Sequence, residues 1–414
     1  MTTHKKYLSV FTLIFVLIFS ALSLQAKSQY SPVVQELKNL YDSDESFQEL
    51  IDNALSSAVP TPDGWSKSPY GDTSKLYKWP QKDIDDLLYF FESWRTFVPN
   101  TSNGMMYYEL LYGLCYENPS AIKFVSTEPG LSWTRKYVQA RGAYMDSTDS
   151  IDDHIPAMKD WKKALGDKWN DFKAPHATHK GFEGYTTFNE FFTRELLNNT
   201  IRPVSAPNDP SILVSPADGL TNVINSNLNS DSKIHTKYDE YLNVSQLLAG
   251  SKYANRFNGG TATATVLLPN DYHHYHSPVE GLVVETKEVD SRGGVYFGMD
   301  GEFYTFVNNG NIGGYKSKYG VFGVYHRGYY IIKTKEFGYV AMIPIGLDDI
   351  SSVNFVKKFR NINSKKEYKK VKKGEIVGNF AYGGSTVILL FETGVFSGIK
   401  LQQGSQLGEL NKKQ

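Results

Sequence analysis

Three of the nine histidines in this 414-residue chain stand within one short stretch, 269-PNDYHHYHSPVEG-281. Imidazoles are crowded together mainly to bind a metal or to move protons. A metal centre here would draw on His273, His274 or His276 with Asp271. No second His/Glu cluster completes a closed site in the way that spaced ligand pairs do, so no metal is expected. Two histidines in separate acid–base roles suit the spacing better. On a strand, His274 and His276 share a face while His273 points away. Pro269, Pro278 and Gly281 mark a turn that could break this alternation.

Two other loci carry polar groups of complementary kinds. The first is 215-SPADG-219, which read alone is a turn with a capping aspartate. The second is 381-AYGGSTVILLF-391, where two glycines, a serine and a threonine precede the apolar run Val387–Phe391. That run has the composition of a buried strand, and read alone its glycine pair is a bulge or turn. Together Asp218, His276 and Ser385 offer an acid, a base and a hydroxyl from three distant segments. A weak hydroxyl nucleophile needs a base, and the base needs an orienter.

The elements that must position these residues fall into two parts, giving an α+β fold. From about Tyr30 to Phe172 the apolar spacing is helical. Val33, Val34, Leu37 and Leu40 recur in this way, as do Leu50, Ile51 and Leu55. A further helix is expected from Ile84 through Trp94, with Asp83, Asp85 and Asp86 at its positive end, and another over Met105 to Leu114. The stretch 171-DFKAPHATHKGFEG-184 reads as a linker. From about Ile212 onward, runs such as 263-TATVLL-268, 321-VFGVY-325, 329-YYIIKT-334 and 339-YVAMIPI-345 alternate with turn residues, the pattern of a mainly antiparallel β domain. The expected division is residues 27–175, helical, and 176–414, β-rich.

Lys5 and Lys6 precede an apolar run, Val10 to Leu24, that ends in small and polar residues. This reads as a signal peptide over residues 1–26, or as an N-terminal membrane anchor. The body of the protein is expected to be exported, periplasmic or secreted. Lysine plus arginine equals aspartate plus glutamate, 44 against 44. That balance argues against a nucleic-acid partner held by counterion release. It also offers little membrane attraction beyond the N-terminal segment. The single cysteine, Cys115, forms no intrachain disulfide and has the apolar neighbours of a buried structural residue.

These segments, taken in order, resemble the phosphatidylserine decarboxylase family of pyruvoyl-dependent enzymes. The resemblance is carried by 188-FNEFFTREL-196, 202-RPV-204, 213-LVSPADG-219, 245-SQLLAG-250, 267-LLPNDYHHYHSPVEG-281, 336-EFGYVAMIPIG-346 and 373-KGEIVGNFAYGGSTVILLFE-392. The helical N-terminal region resembles the extension in a branch that includes decarboxylases of soluble aromatic L-amino acids.

The resemblance implies that Asp218, His276 and Ser385 form a self-processing triad. In it Ser385 attacks the carbonyl of Gly384, and Asp218 holds the His276 imidazole in the useful tautomer. Cleavage between residues 384 and 385 then leaves a pyruvoyl group derived from Ser385, so neither pyridoxal phosphate nor a metal is needed. Glycine gives access and permits strain at such a carbonyl. The implied activity is Schiff-base decarboxylation of phosphatidylserine to phosphatidylethanolamine, with His273 as the acid that reprotonates carbon. The alternative substrate is a soluble aromatic L-amino acid. Homodimerisation and membrane association are further implications. The sequence departs from the family pattern at His274, usually arginine, and at 325-YHR-327, where only the arginine of Asn-Glu-Arg is kept. A non-processing binding or metal-binding protein is the reading from another class.

Overall fold

The computed structural model describes residues 30–58, 67–68, 71–72, 83–104, 106–115, 118–174, 177–179, 181–229, 232, 234–235, 241–289, 327–346, 353–381 and 385–404. The expected signal or anchor segment, the strand expected over 321–325, and Gly384 lie outside these residues.

The N-terminal part is helical, as its periodicity predicts. Helices span Pro32–Ser43, Glu45–Ser56, Ile84–Thr96, Met106–Cys115, Pro119–Ser126, Gly130–Met145 and Ile155–Leu165. Asp44 caps the second of these by accepting from the amides of Ser46 and Phe47, and Asp83 caps the third through Asp86 N. Such caps satisfy amides that have no partner inside the helix. At the other end of Ile84–Thr96, the buried Arg141 donates to the carbonyls of Trp94 (2.5 Å) and Phe97 (2.9 Å). Phe91, Trp94, Trp133 and Tyr137 fill the space between these helices. Cys115 is fully buried there, and desolvation pushes its thiol upward, away from reactivity.

The strands, in chain order, are β1 (Lys67–Ser68), β2 (Gly71–Asp72), β3 (Ala177–His179), β4 (Phe182–Gly184), β5 (Leu220–Ser226), β6 (Ile234–His235), β7 (Tyr241–Leu242) and β8 (Thr261–Leu267). They continue with β9 (His274–His276), β10 (Gly281–Val289), β11 (Arg327–Lys333), β12 (Tyr339–Gly346), β13 (Val353–Phe355), β14 (Lys369–Val371), β15 (Ile376–Phe380) and β16 (Ser385–Phe391). Seven form an antiparallel sheet in the order β14-β10-β11-β12-β16-β8-β5, and three form a smaller one, β13-β15-β9.

Strand alternation sends β16 side chains to two different cores. Ile388 and Leu390 join a cluster continuous with the helical part, whereas Val387, Leu389 and Phe391 join one containing Tyr275, Phe355 and Phe380 from the small sheet. All seven residues of β16 are buried. Burying its five apolar side chains contributes on the order of 10 kcal/mol before chain entropy is counted.

A third cluster joins Met158, Trp161 and Trp169 to Phe188, Phe191 and Phe192. The short helix Phe188–Phe192 is thereby packed on the segment before it. The described residues of the stretch 171–184 are packed rather than linker-like: Phe172 and Phe182 are buried, and β3 pairs with β4. Its aromatic residues fill a core, which the count of turn residues concealed.

Candidate active site

Backbone pairing brings the three chemically loaded segments to one end of the large sheet. Ser385 opens β16 between two strands, opposite Leu267 of β8 and Gly346 of β12. Val266 of β8 pairs with Thr386 on one side and Leu220 of β5 on the other, so the Asp218–Gly219 turn arrives one strand away from Ser385. Gly219 has φ +149°, and a Cβ there would lie 2.3 Å from Val266 O, so the turn can close this tightly only with glycine. The amide of His276 donates to Pro216 O (2.7 Å), and that of Phe380 donates to His273 O (2.9 Å). The histidine strand is thus tied to the aspartate turn and to the end of β15, five residues before Ser385.

His276 is mostly buried, and its Nδ1 lies 2.8 Å from Gly374 O. A carbonyl only accepts, so Nδ1 carries the proton and Nε2 keeps the lone pair. Desolvation lowers the imidazole below its ordinary value of 6.5, opposed by the Gly374 hydrogen bond and by the field of Asp218. The ring is therefore a neutral base near pH 7. Tyr272 OH stands 3.4 Å from Nε2, and burial keeps this phenol protonated.

His273 is fully buried, with Phe192 stacked on it at 3.8 Å between ring centroids. Its Nδ1 donates to Asp271 O at 3.0 Å. That carbonyl also accepts from Arg194 Nη2 (2.7 Å), which reaches Asn270 O as well (2.7 Å). Arg194 is almost fully buried between the rings of Phe172 and Phe191, and desolvation lowers it to about 10. The helix Phe188–Phe192 and the two residues after it therefore form the mould for the histidine loop.

The Ser385 and Thr386 side chains are fully buried, and neither hydroxyl has a hydrogen-bond partner among the described residues. An unpaired buried hydroxyl costs about 1–3 kcal/mol. Two adjacent ones at the start of a core strand call for an explanation.

Asp218 is paired with Arg202 rather than hydrogen-bonded to His276. Its carboxylate accepts from Arg202 Nε (3.2 Å) and Nη2 (2.9 Å), and it acts on His276 through its field alone. The tautomer-fixing bond expected of Asp218 is made here by the Gly374 carbonyl. His274 and His276 do share a face, as strand alternation predicts, and both lie against Tyr272, with centroids at 4.8 and 5.7 Å. The His274 Nε2 donates to Thr193 O (2.9 Å). No group able to hold a metal ion occurs among the described residues.

Sequence reasoning missed Arg194, Arg202, Tyr272 and Gly374 as working parts. The two arginines sit inside the quoted motifs, which was the available signal. Gly374 gave none, because a backbone carbonyl has no sequence signature.

The phosphatidylserine decarboxylase family model matches residues 188–409. Phosphatidylserine decarboxylase proenzyme 3 of Schizosaccharomyces pombe is 36% identical over 214 residues, which cover 52% of this chain and 20% of that protein. The phosphatidylserine decarboxylase proenzyme of Fusobacterium nucleatum is 31% identical over 210 residues, covering 51% and 61%. Phosphatidylserine decarboxylase proenzyme 2 of Clostridium acetobutylicum is 30% identical over 256 residues, covering 58% and 77%. The chain thus spans one fifth of the first relative and about three fifths of the second. The matched region takes in every segment that converges on Ser385 and covers more than half of the sequence, so the chain belongs to the phosphatidylserine decarboxylase family.

Proposed function

We propose that the chain is a self-processing, pyruvoyl-dependent decarboxylase that cuts itself between residues 384 and 385 and converts phosphatidylserine to phosphatidylethanolamine. The observation that carries this is the buried Ser385 hydroxyl at the first position of a core strand, without a hydrogen-bond partner among the described residues. The site fits a pyruvoyl group: cleavage there would create a new N-terminus held on both sides by β8 and β12. Such a group supplies a ketone that takes up the substrate amine and accepts the electron pair released with carbon dioxide.

The residues of the chain divide the remaining work. His276 Nε2 takes the Ser385 proton as Oγ adds to the carbonyl of residue 384. The C–N bond breaks and the nitrogen is protonated, leaving an ester. Loss of the Ser385 α-proton expels the upstream carboxylate, and water then replaces the nitrogen, which leaves as ammonia. His273, donating from Nδ1 to Asp271 O, presents Nε2 for proton transfer to carbon in turnover. Arg202 neutralises Asp218, and Gly374 holds the His276 ring.

Intact mass tests this reading. Two chains, the smaller beginning at residue 385 and blocked to Edman degradation, are expected, and Ser385→Ala should remain uncut. A single uncut wild-type chain would point instead to a non-processing binding protein. One observation favours a second substrate, a soluble aromatic L-amino acid: the position that is usually arginine in the family is His274, buried and bonded to Thr193 O. Carbon dioxide release from phosphatidylserine vesicles, tryptophan, tyrosine and phenylalanine, compared side by side, decides between them. The proposal includes export of the chain, checked by fractionation of cells, and homodimerisation, checked by sedimentation.

A further inference from the structure

Overall neutrality conceals a local segregation of charge. The segment 356-VKKFRNINSKKEYKKVKKGEI-376 carries nine cations and two carboxylates. Eight of the cations are exposed; the ninth, Lys373, is buried and donates to the carbonyls of Ala206, Asp209 and Ile212. Both carboxylates are occupied. Glu367 accepts from the amides of Asn363 and Ser364, and Glu375 accepts from Lys358 and the Lys372 amide.

The fold gathers this segment on one rim of the β domain. Val356 N donates to Val377 O, Ile362 N to Thr286 Oγ1, and β14 lies along β10 as the edge of the large sheet. Edge strands are commonly guarded by lysine, which accounts for Lys369 and Lys370. It does not account for Lys357, Lys358, Arg360, Lys365 and Lys366, which lie off the strand. Two apolar side chains, Val356 and Ile376, are exposed at the ends of the same segment, at 37% and 42%. Cations flanked by exposed aliphatics fit a lipid headgroup surface better than a nucleic-acid backbone, which is met by cations with aromatic or hydrogen-bonding groups. The patch also abuts the site: the turn that ends it supplies the Gly374 carbonyl to His276, and Ile376 pairs with His276.

We infer that the surface of residues 356–376 docks the protein on an anionic lipid bilayer, with the reacting histidine strand beside the contact. The choice of lipid rests on the proposed function, but the test does not. Full-length protein is mixed with vesicles of phosphatidylcholine alone or of phosphatidylcholine with phosphatidylglycerol, an anionic lipid that has no serine to decarboxylate. Binding to the anionic vesicles should be about tenfold stronger or more, and should fall with added salt. The variant K365Q/K366Q/K369Q/K370Q should lose about tenfold or more of that difference. Equal binding of wild type to both vesicles, or undiminished binding by a variant that melts like wild type, would overturn the inference. Should the variant melt early, V356S/I376S is scored on the same vesicles, and unchanged binding overturns it equally. Tighter binding to single-stranded polyuridylate than to anionic vesicles in the same buffer also overturns it. Intact mass on the same samples reports self-cleavage separately, so failure of docking and failure of the decarboxylase reading are distinguishable.

Discussion

The Nδ1 nitrogen of His276 lies 2.8 Å from the carbonyl oxygen of Gly374, a residue 98 positions away. A fixed backbone dipole thereby sets the tautomer of the proposed base, with the Asp218 carboxylate paired to Arg202 nearby.

Gly374 has φ +76°, and a Cβ added there would lie 2.3 Å from Val204 Cγ2. Gly374→Ala should cost about 1–3 kcal/mol in backbone strain and turn the carbonyl away from His276. Conversion of uncut chain to two chains should slow by about tenfold or more, a 1.4 kcal/mol loss in barrier terms. A time course by intact mass checks this; unchanged conversion would show that Gly374 O is not the orienter.

His274 and His276 both lie below 6.5, burial being the main cause in each. In the unfolded chain they protonate near 6.5, so the folded state binds fewer protons just below that pH. Their contribution to stability is therefore full above pH 6.5 and is lost as pH falls through and below it. Urea midpoints for Ser385→Ala, measured from pH 8 to pH 5 to avoid cleavage, should drop on the acid side of about 6.5.

The same depression fixes the pH profile of self-cleavage. Only neutral His276 accepts the Ser385 proton, so the rate should already be level at pH 7 and decline only below 6.5. A rate still climbing well above neutral pH would point to a different base.

Arg194 bridges three carbonyls on two segments. Arg194→Met should destabilise the protein by about 2–4 kcal/mol, because three charge-assisted hydrogen bonds between the two segments are lost at once. It should reduce turnover more than self-cleavage, since the carbonyl that holds His273 is among them. Denaturant midpoints and carbon dioxide release per cleaved chain check the two effects.

His273→Ala should leave cleavage largely intact and abolish turnover, whereas His276→Ala should block cleavage. The reverse pattern, read on a gel and in the decarboxylation assay, would exchange their roles. Ile388→Ala should cost about 2–5 kcal/mol and loosen the C-terminal chain after the cut, seen as its loss on gel filtration in mild denaturant.

Much of the fold was legible because burial writes itself into period and composition. The 3.6-residue spacing of Val33, Val34 and Leu37 gave the first helix, and the branched and aromatic residues of Val387–Phe391 gave β16. The stretch 171–184 reads as a linker because its turn residues outnumber Phe172 and Phe182, which the fold buries. Asp218, His273, His276 and Ser385 stood out by residue type, and their convergence at one end of the large sheet required β8 to lie between β5 and β16.

By itself the sequence determined which residues have the chemistry: hydroxyl, imidazole and carboxylate carry it in their side chains wherever they sit. The tertiary structure alone decided how those groups are held. Gly374 O fixes His276, Arg194 fixes the His273 loop, Asp218 pairs with Arg202, and exposed lysines collect on one rim. The first two are relations between segments far apart in the chain, set by backbone carbonyls, and they leave no pattern in local sequence.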